Sequence, residues 1–168
     1  RFAHTIAAVI ALQPERVSVA SYAHLPERYM AQRKINPAEL PTQPNKLTML
    51  QHSVEQLTRA GYRYIGMDLF ALPDDELAMA QEDGALQRSF HGYTTHGHCD
   101  LVGLGVSAIS QVGDLYCQNN SDITPYQQSL GQGQLATIRG LRCSEDDQIR
   151  RYTVQALFCN FELRFDEI

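Results

Sequence analysis

The pattern between Pro44 and Gly61 constrains the fold of this chain more than any other feature. Leu47, Leu50, Val54 and Leu57 recur at spacings of three, four and three, so they share one face of a helix. Pro44 suits its first turn, where a missing N–H costs nothing, and Gly61 suits the left-handed cap that ends it. A strand-like run, Tyr62 to Met67, follows at once. Upstream, Phe2, Ile6, Val9 and Ile10 repeat the helical period and stop before Pro14. Val17-Ser18-Val19 then alternates like a short strand. Helix, strand, helix, strand predicts the repeating unit of a parallel sheet and therefore an α/β fold.

Residues 22–43 form a long connection after the first strand. Loops of that length in compact domains are commonly functional, and strand C-terminal ends are where α/β proteins meet ligands. Glu27 to Lys34 is expected to form one or two helical turns. After Pro73, Asp74 is read as the N-cap of a short helix through Leu77 and Ala80 that ends near Gly84. From Phe90 to Cys117 the texture changes to short Gly, Thr, Val and Tyr runs, which predict antiparallel strands. Ser121 to Leu130 predicts a short helix, Gly131 to Gly133 a turn and Leu135 to Leu141 a strand. Ser144 and Asp147 form a capping box opening a helix through Ile149, Tyr152, Ala156 and Leu157. Phe158, Phe161, Leu163 and Phe165 follow with little chain left to cover them, so a further domain is expected to start there.

The chain's 168 residues suffice for one domain with a core, or for part of a larger one. It begins at Arg1 rather than Met and is expected to be a piece of a longer protein. Lys and Arg are scattered against a net charge of −5, which argues against a nucleic-acid partner. No apolar run approaches the roughly 20 residues that span a bilayer, so no membrane partner is expected. Cys99, Cys117, Cys143 and Cys159 are widely spaced and match no zinc or redox motif. They are read as reduced thiols of a cytoplasmic protein.

Few residues recommend themselves for chemistry. His91, His96, His98 and Cys99 carry the right atoms for zinc, but their spacing fits no recognised ligand pair, so no metal site is expected. No GxSxG elbow is present, and His98 and Cys99, as neighbours on an extended chain, point to opposite faces. No catalytic residue is assigned. Gly103 and Gly105 in GLGVSAIS allow close backbone approach, to a ligand or simply within a strand and turn. Asp68 is either a cleft carboxylate or a loop cap, and Asp74, Asp75 and Glu76 complement a helix N-terminus.

Five blocks occur in one order: YAHLP (22–26), AQRKI (31–35), GMDLFALPDDELA (66–78), FHGYTT (90–95) and GLGVSAIS (103–110), with Cys159-Asn160-Phe161 near the end. Together they resemble the oxygen-independent coproporphyrinogen III oxidases, radical S-adenosylmethionine (SAM) enzymes of haem biosynthesis. The family's CxxxCxxC cluster motif is absent here.

The resemblance implies a segment of an open (β/α) radical-SAM-type barrel followed by a small mixed α+β extension. Expected boundaries are 1–84 for the partial barrel, 85–142 for the strand-rich extension and 143–168 for the start of a C-terminal domain. It implies oxidative decarboxylation of coproporphyrinogen III to protoporphyrinogen IX, using SAM and a 4Fe–4S cluster whose ligands lie outside this chain. The partners implied are the porphyrinogen substrate, SAM and the remainder of the same polypeptide. This segment alone is expected to be inactive. By resemblance, Ala23 and Ile109 contact SAM, and Phe90 and His91 lie near a second SAM site. The family commonly has Gln where His91 stands, and His and Arg where Leu69 and Leu72 stand. A radical-SAM-like haem chaperone and a non-enzymatic binding domain on the same scaffold are the alternatives.

Overall fold

The computed structural model describes residues 1–167. It contains two compact units, Arg1–Glu82 and Asp83–Ile168.

In the first unit, α1 (Phe2–Leu12) ends where Gln13 turns left-handed, immediately before Pro14. The longer α2 (Gln43–Arg59) begins at Thr42, whose hydroxyl accepts the Asn45 N–H, and carries Pro44 in its first turn. It stops at Ala60, and Gly61 takes φ 95°, as the capping pattern predicts. Leu57 and Ser53 are the buried residues of α2. The Ser53 hydroxyl donates to Met49 O at 2.9 Å, so its burial leaves no orphaned donor.

The sheet of this unit departs from the expectation. Strands β1 (Arg16–Ser18) and β2 (Arg63–Gly66) do run parallel, but β3 (Leu69–Ala71) lies between them and pairs antiparallel with both. The alternation in the sequence located β1 and β2 but not β3. The cause is the connection: Met67 and Asp68, at φ 42° and 76°, form a two-residue hairpin turn. Such turns normally announce themselves with Asn-Gly or Asp-Gly, and Met-Asp carries no such signal. Asp68 therefore sits in a turn, not at a strand end.

Val17 and Phe70 are cross-strand partners, as are Tyr64 and Phe70. With Leu57 and Tyr62, Val17 and Phe70 make a buried core against which Val9, Ile10, Val54 and Leu72 pack. The Tyr62 hydroxyl donates to Pro14 O at 2.6 Å and ties the core to the loop before β1. Helix α3 (Glu76–Glu82) is capped by Asp75, whose Oδ1 accepts the Leu77 N–H at 2.8 Å; Asp74 does not take the role expected of it. Arg16 binds Asp75 at 2.6 Å and Glu76 at 2.9 Å, so β1 is anchored to the start of α3. These two carboxylates, Asp75 foremost, hold the Arg16 guanidinium above its ordinary pKa.

The second unit opens with a hairpin of β4 (Gln87–Ser89) and β5 (Gly92–Thr94). A three-stranded antiparallel sheet follows, in the order β6 (Ile109–Val112), β7 (Leu115–Asn119), β8 (Thr137–Arg142), with α4 (Ile123–Gly131) joining β7 to β8. Antiparallel pairing here agrees with the sequence texture. Helix α5 (Glu145–Asn160) opens with the capping box of Ser144 and Asp147. The Ser144 backbone N–H, then its hydroxyl, hold the Asp147 carboxyl below the usual range. Helix α5 packs on β4: Gln155 exchanges hydrogen bonds with both backbone groups of Arg88, and the Tyr93 hydroxyl donates to Phe158 O at 3.0 Å.

Candidate functional site

The residues expected to contact SAM fall in both units. Ala23 lies in the first. It is exposed, in the connection after β1, and its carbonyl accepts from Gln32 Nε2 at 3.1 Å. The other end of the same amide accepts the Leu25 N–H at 2.5 Å. Arg33 Nε donates to Pro26 O at 3.0 Å. The AQRKI block thus forms a 3-10 turn, Met30–Lys34, whose side chains clamp the backbone of YAHLP. A second turn, Pro37–Glu39, went unforeseen in the sequence. Lys46 Nζ adds a bond to Tyr22 O at 3.2 Å.

Beside this loop is a cavity of about 550 Å³, walled by Phe2, Leu47, Leu50, Tyr22, His24 and Asp68 among others. Leu47, expected on the buried face of α2, is instead 57% exposed and faces this space. Asp68 is half-buried and lines the cavity, and its backbone carbonyl accepts the Val19 N–H at 2.8 Å. It is therefore both a cavity carboxylate and a turn residue that pins the end of β1. Leu72, where the family commonly has Arg, packs against the core of this unit.

The second unit brings Phe90, His91 and Ile109 together. Gly92, at φ 126°, lets the chain turn sharply between β4 and β5, with Phe90 and His91 in the bend. The His91 N–H donates to Ser89 Oγ at 3.1 Å. Its ring Nε2 lies 3.1 Å from Ile109 O. A carbonyl only accepts, so Nε2 carries the proton in this bond. His91 is exposed and beside a strand, yet it has a specific partner in the GLGVSAIS block.

Phe90 is 65% exposed and meets Tyr116 edge-on, with ring centroids 5.5 Å apart. Phe90, Ile109, Tyr116, Leu141 and Val154 line a groove of about 550 Å³, with Arg139, Arg150 and Arg151 on its walls. Tyr116 and Val154 escaped sequence reasoning. Each is a single apolar residue in an amphipathic strand or helix, and nothing local distinguishes it from a core position.

The glycines of GLGVSAIS serve the chain itself. A side chain at Gly103 would come within 2.7 Å of Ile109 O, so the absence of one lets these two backbone segments touch. Gly105 takes φ 103°. Asn119 Nδ2 reaches both the Gly103 and Gly105 carbonyls, at 3.3 and 3.0 Å. The packing of Gly103 on Ile109 O and the Asn119 bonds thus fix the loop against the start of β6.

His96 and His98 stack at 6.4 Å, and His96 Nδ1 is 2.9 Å from Thr95 Oγ1. Among the described residues no three His, Cys, Asp or Glu side chains gather as metal ligands. The cysteines do not fit an iron–sulfur cluster either. Cys99 is exposed, while Cys143 and Cys159 are buried, and burial pushes the Cys159 thiol up to about 11 against a weaker opposing effect of Arg88. The groove does fit a flat, partly polar ligand. Phe90, Leu141 and Val154 offer dry wall, and Ile109 O keeps a second lone pair beyond the one His91 uses. Among the described residues no helix is long and apolar enough to cross a membrane.

No protein-family model matches the chain. It is 68% identical over 167 residues to the oxygen-independent coproporphyrinogen III oxidase of Pseudomonas aeruginosa, a match covering 99% of this chain and 36% of that protein. The corresponding protein of Escherichia coli K12 is 50% identical with the same coverages. That of Thermostichus vulcanus is 42% identical, covering 96% of this chain and 50% of the relative. A solved structure of the Escherichia coli coproporphyrinogen III oxidase, a radical SAM enzyme, superposes with a TM-score of 0.94 at 49% identity, covering 99% of this chain and 38% of that one. The α/β fold of the chain is thus that of the matching part of a radical SAM enzyme, with the antiparallel β3 included. Over 99% of its length the chain matches the oxygen-independent coproporphyrinogen III oxidases, and it spans about a third of the length of the Pseudomonas aeruginosa and Escherichia coli members.

Proposed function

We propose that this chain is the part of an oxygen-independent coproporphyrinogen III oxidase that walls the reaction cavity, and that the full-length protein converts coproporphyrinogen III to protoporphyrinogen IX. The observation that carries this reading is 68% identity over 167 residues to a protein of that name. Phe90 and Ile109 lining one groove, with His91 bonded to the Ile109 carbonyl, support it.

The cofactors are SAM and a 4Fe–4S cluster, with cluster ligands elsewhere in the polypeptide. When bound, they supply the radical that removes a hydrogen atom from a substrate propionate. The residues of this chain bind, orient and exclude water. Ile109 presents its carbonyl and side chain to SAM, Phe90 closes the apolar wall, and His91 fixes the Ile109 carbonyl. Ala23 presents backbone held in place by Gln32. No residue here is assigned a catalytic role. The porphyrinogen, SAM and the rest of the same polypeptide are the partners, without nucleic acid or membrane, and the setting is the cytoplasm.

The test is anaerobic incubation of the reduced full-length protein with SAM and coproporphyrinogen III. Protoporphyrinogen IX should form only with SAM present. A cluster-loaded protein that binds haem tightly but leaves coproporphyrinogen III unchanged would make it a haem chaperone instead.

A further inference from the structure

A second cavity of the Asp83–Ile168 unit, of about 190 Å³, is distinct from the groove at Phe90. Its walls include Arg88, Arg151, Gln111, Ser89 and Thr94. Neither arginine has a carboxylate partner among the described residues; in the same unit Arg142, Arg150 and Arg164 are ion-paired, while Arg139 bonds Gln118 instead. Arg88 is the more unusual. Its guanidinium lies 5.6 Å from the Tyr93 ring centroid and 5.8 Å from that of Phe158, so aromatic faces hold it in place. Its Nε is buried and has no hydrogen-bond partner. Buried donors are nearly always satisfied, so this one is an exception that calls for an explanation. Arg151 is held more loosely, by a 3.4 Å bond from Nη1 to the Tyr116 hydroxyl. Asp100, the acid on the cavity wall, already accepts the Gly113 N–H at 2.9 Å.

We infer that the Arg88–Arg151 cavity receives a carboxylate group of a larger bound ligand. An arginine whose fork faces no acid is matched to a planar oxyanion, and its fixed guanidinium loses little freedom on binding one. The cavity is smaller than pockets that enclose whole drug-sized molecules, so it admits a side group and not a ring system. Arg151 also lines the groove that holds Phe90 and Ile109, so a ligand seated in the groove can place a carboxylate in the cavity. The inference rests on the proposed function for its two sources of carboxylate, a propionate arm of the porphyrinogen and the aminoacyl end of SAM.

The experiment is a pair of anaerobic titrations on the full-length protein, with coproporphyrin III as the non-reacting substrate probe and with SAM. Arg88→Gln and Arg151→Gln are compared with wild type and with Arg142→Gln, whose guanidinium pairs with Asp114 at the surface. Loss of a charge-assisted carboxylate bond should raise Kd about tenfold or more for one probe. A loss confined to coproporphyrin III assigns the cavity to a propionate, and a loss confined to SAM assigns it to the cofactor. Because Arg88 is also packed between rings, melting temperatures are read alongside, and Arg151→Gln carries the test if Arg88→Gln does not fold. Unchanged Kd for both probes in a folded Arg151→Gln protein overturns the inference. That result leaves the proposed function standing, since wild-type turnover is measured separately.

Discussion

The His91 ring reaches Ile109 across 18 positions of sequence, placing Nε2 3.1 Å from the Ile109 carbonyl oxygen. This bond joins FHGYTT to GLGVSAIS and aims the backbone expected to meet SAM. A Gln, which the family the sequence resembles is expected to carry here, could make the same bond, because both side chains supply an N–H donor. His91→Gln should therefore leave SAM affinity within about twofold, whereas His91→Ala should weaken it by about 1 kcal/mol, the net worth of one such bond. Isothermal titration of SAM into the full-length protein checks both. Equal weakening by the two variants would show that the imidazole acts in some other way.

Gln32 should govern the YAHLP loop. Its amide bonds both Ala23 O and Leu25 N, and losing the pair removes about 1 kcal/mol per bond of local stability. Gln32→Leu should speed hydrogen exchange and proteolysis within residues 22–26 while leaving the core strands unchanged. Unaltered protection of this loop would mean that Arg33 and Lys46 suffice to hold it.

The core of the first unit rests on Phe70, which is fully buried between β1 and β2 partners. Phe70→Ala should destabilise that unit by about 3–5 kcal/mol. At the neighbouring turn, Met67 holds φ 42° and is 47% exposed. Met67→Gly should relieve the left-handed strain and stabilise by up to about 1 kcal/mol. Denaturant melts of the two variants should move in opposite directions, and a destabilised Met67→Gly protein would show that the Met side chain matters more than the turn.

The cysteines predict a pH response. Burial raises the Cys159 thiol to about 11 in the folded protein, from 9.0 when unperturbed. The folded state thus favours the protonated thiol. Its contribution is fully present below about pH 9 and is lost as pH rises towards 11. Exposed Cys99 should react with a thiol reagent at pH 8 well before Cys159. Mass mapping of alkylated peptides reads this order, and early labelling of Cys159 would contradict its burial.

The helices and the antiparallel half were legible because their signals are local. Spacing at Leu50, Val54 and Leu57, the Gly61 cap and the Ser144–Asp147 box each act within a few residues. Strand β3 was not legible, because Met67 and Asp68 adopt a turn that tertiary pairing imposes against their own preferences. The cap at Asp75 rather than Asp74 was decided by Arg16, 59 positions away. At the candidate site, resemblance picked out Phe90, His91 and Ile109, and the structure adds the bond and groove that join them. Arg88 and Arg151 were invisible in the sequence, since an arginine's lack of a carboxylate partner is a property of space, not of spacing.

The decisive experiment is a segment exchange. The 167 matched residues of the Pseudomonas aeruginosa oxidase are replaced by this chain, and the reduced, cluster-loaded chimera is assayed with SAM and coproporphyrinogen III. SAM-dependent protoporphyrinogen IX should form within about tenfold of the parent rate, a change of about 1.4 kcal/mol or less in the barrier. A folded chimera that holds its cluster and binds SAM but forms no product would contradict it.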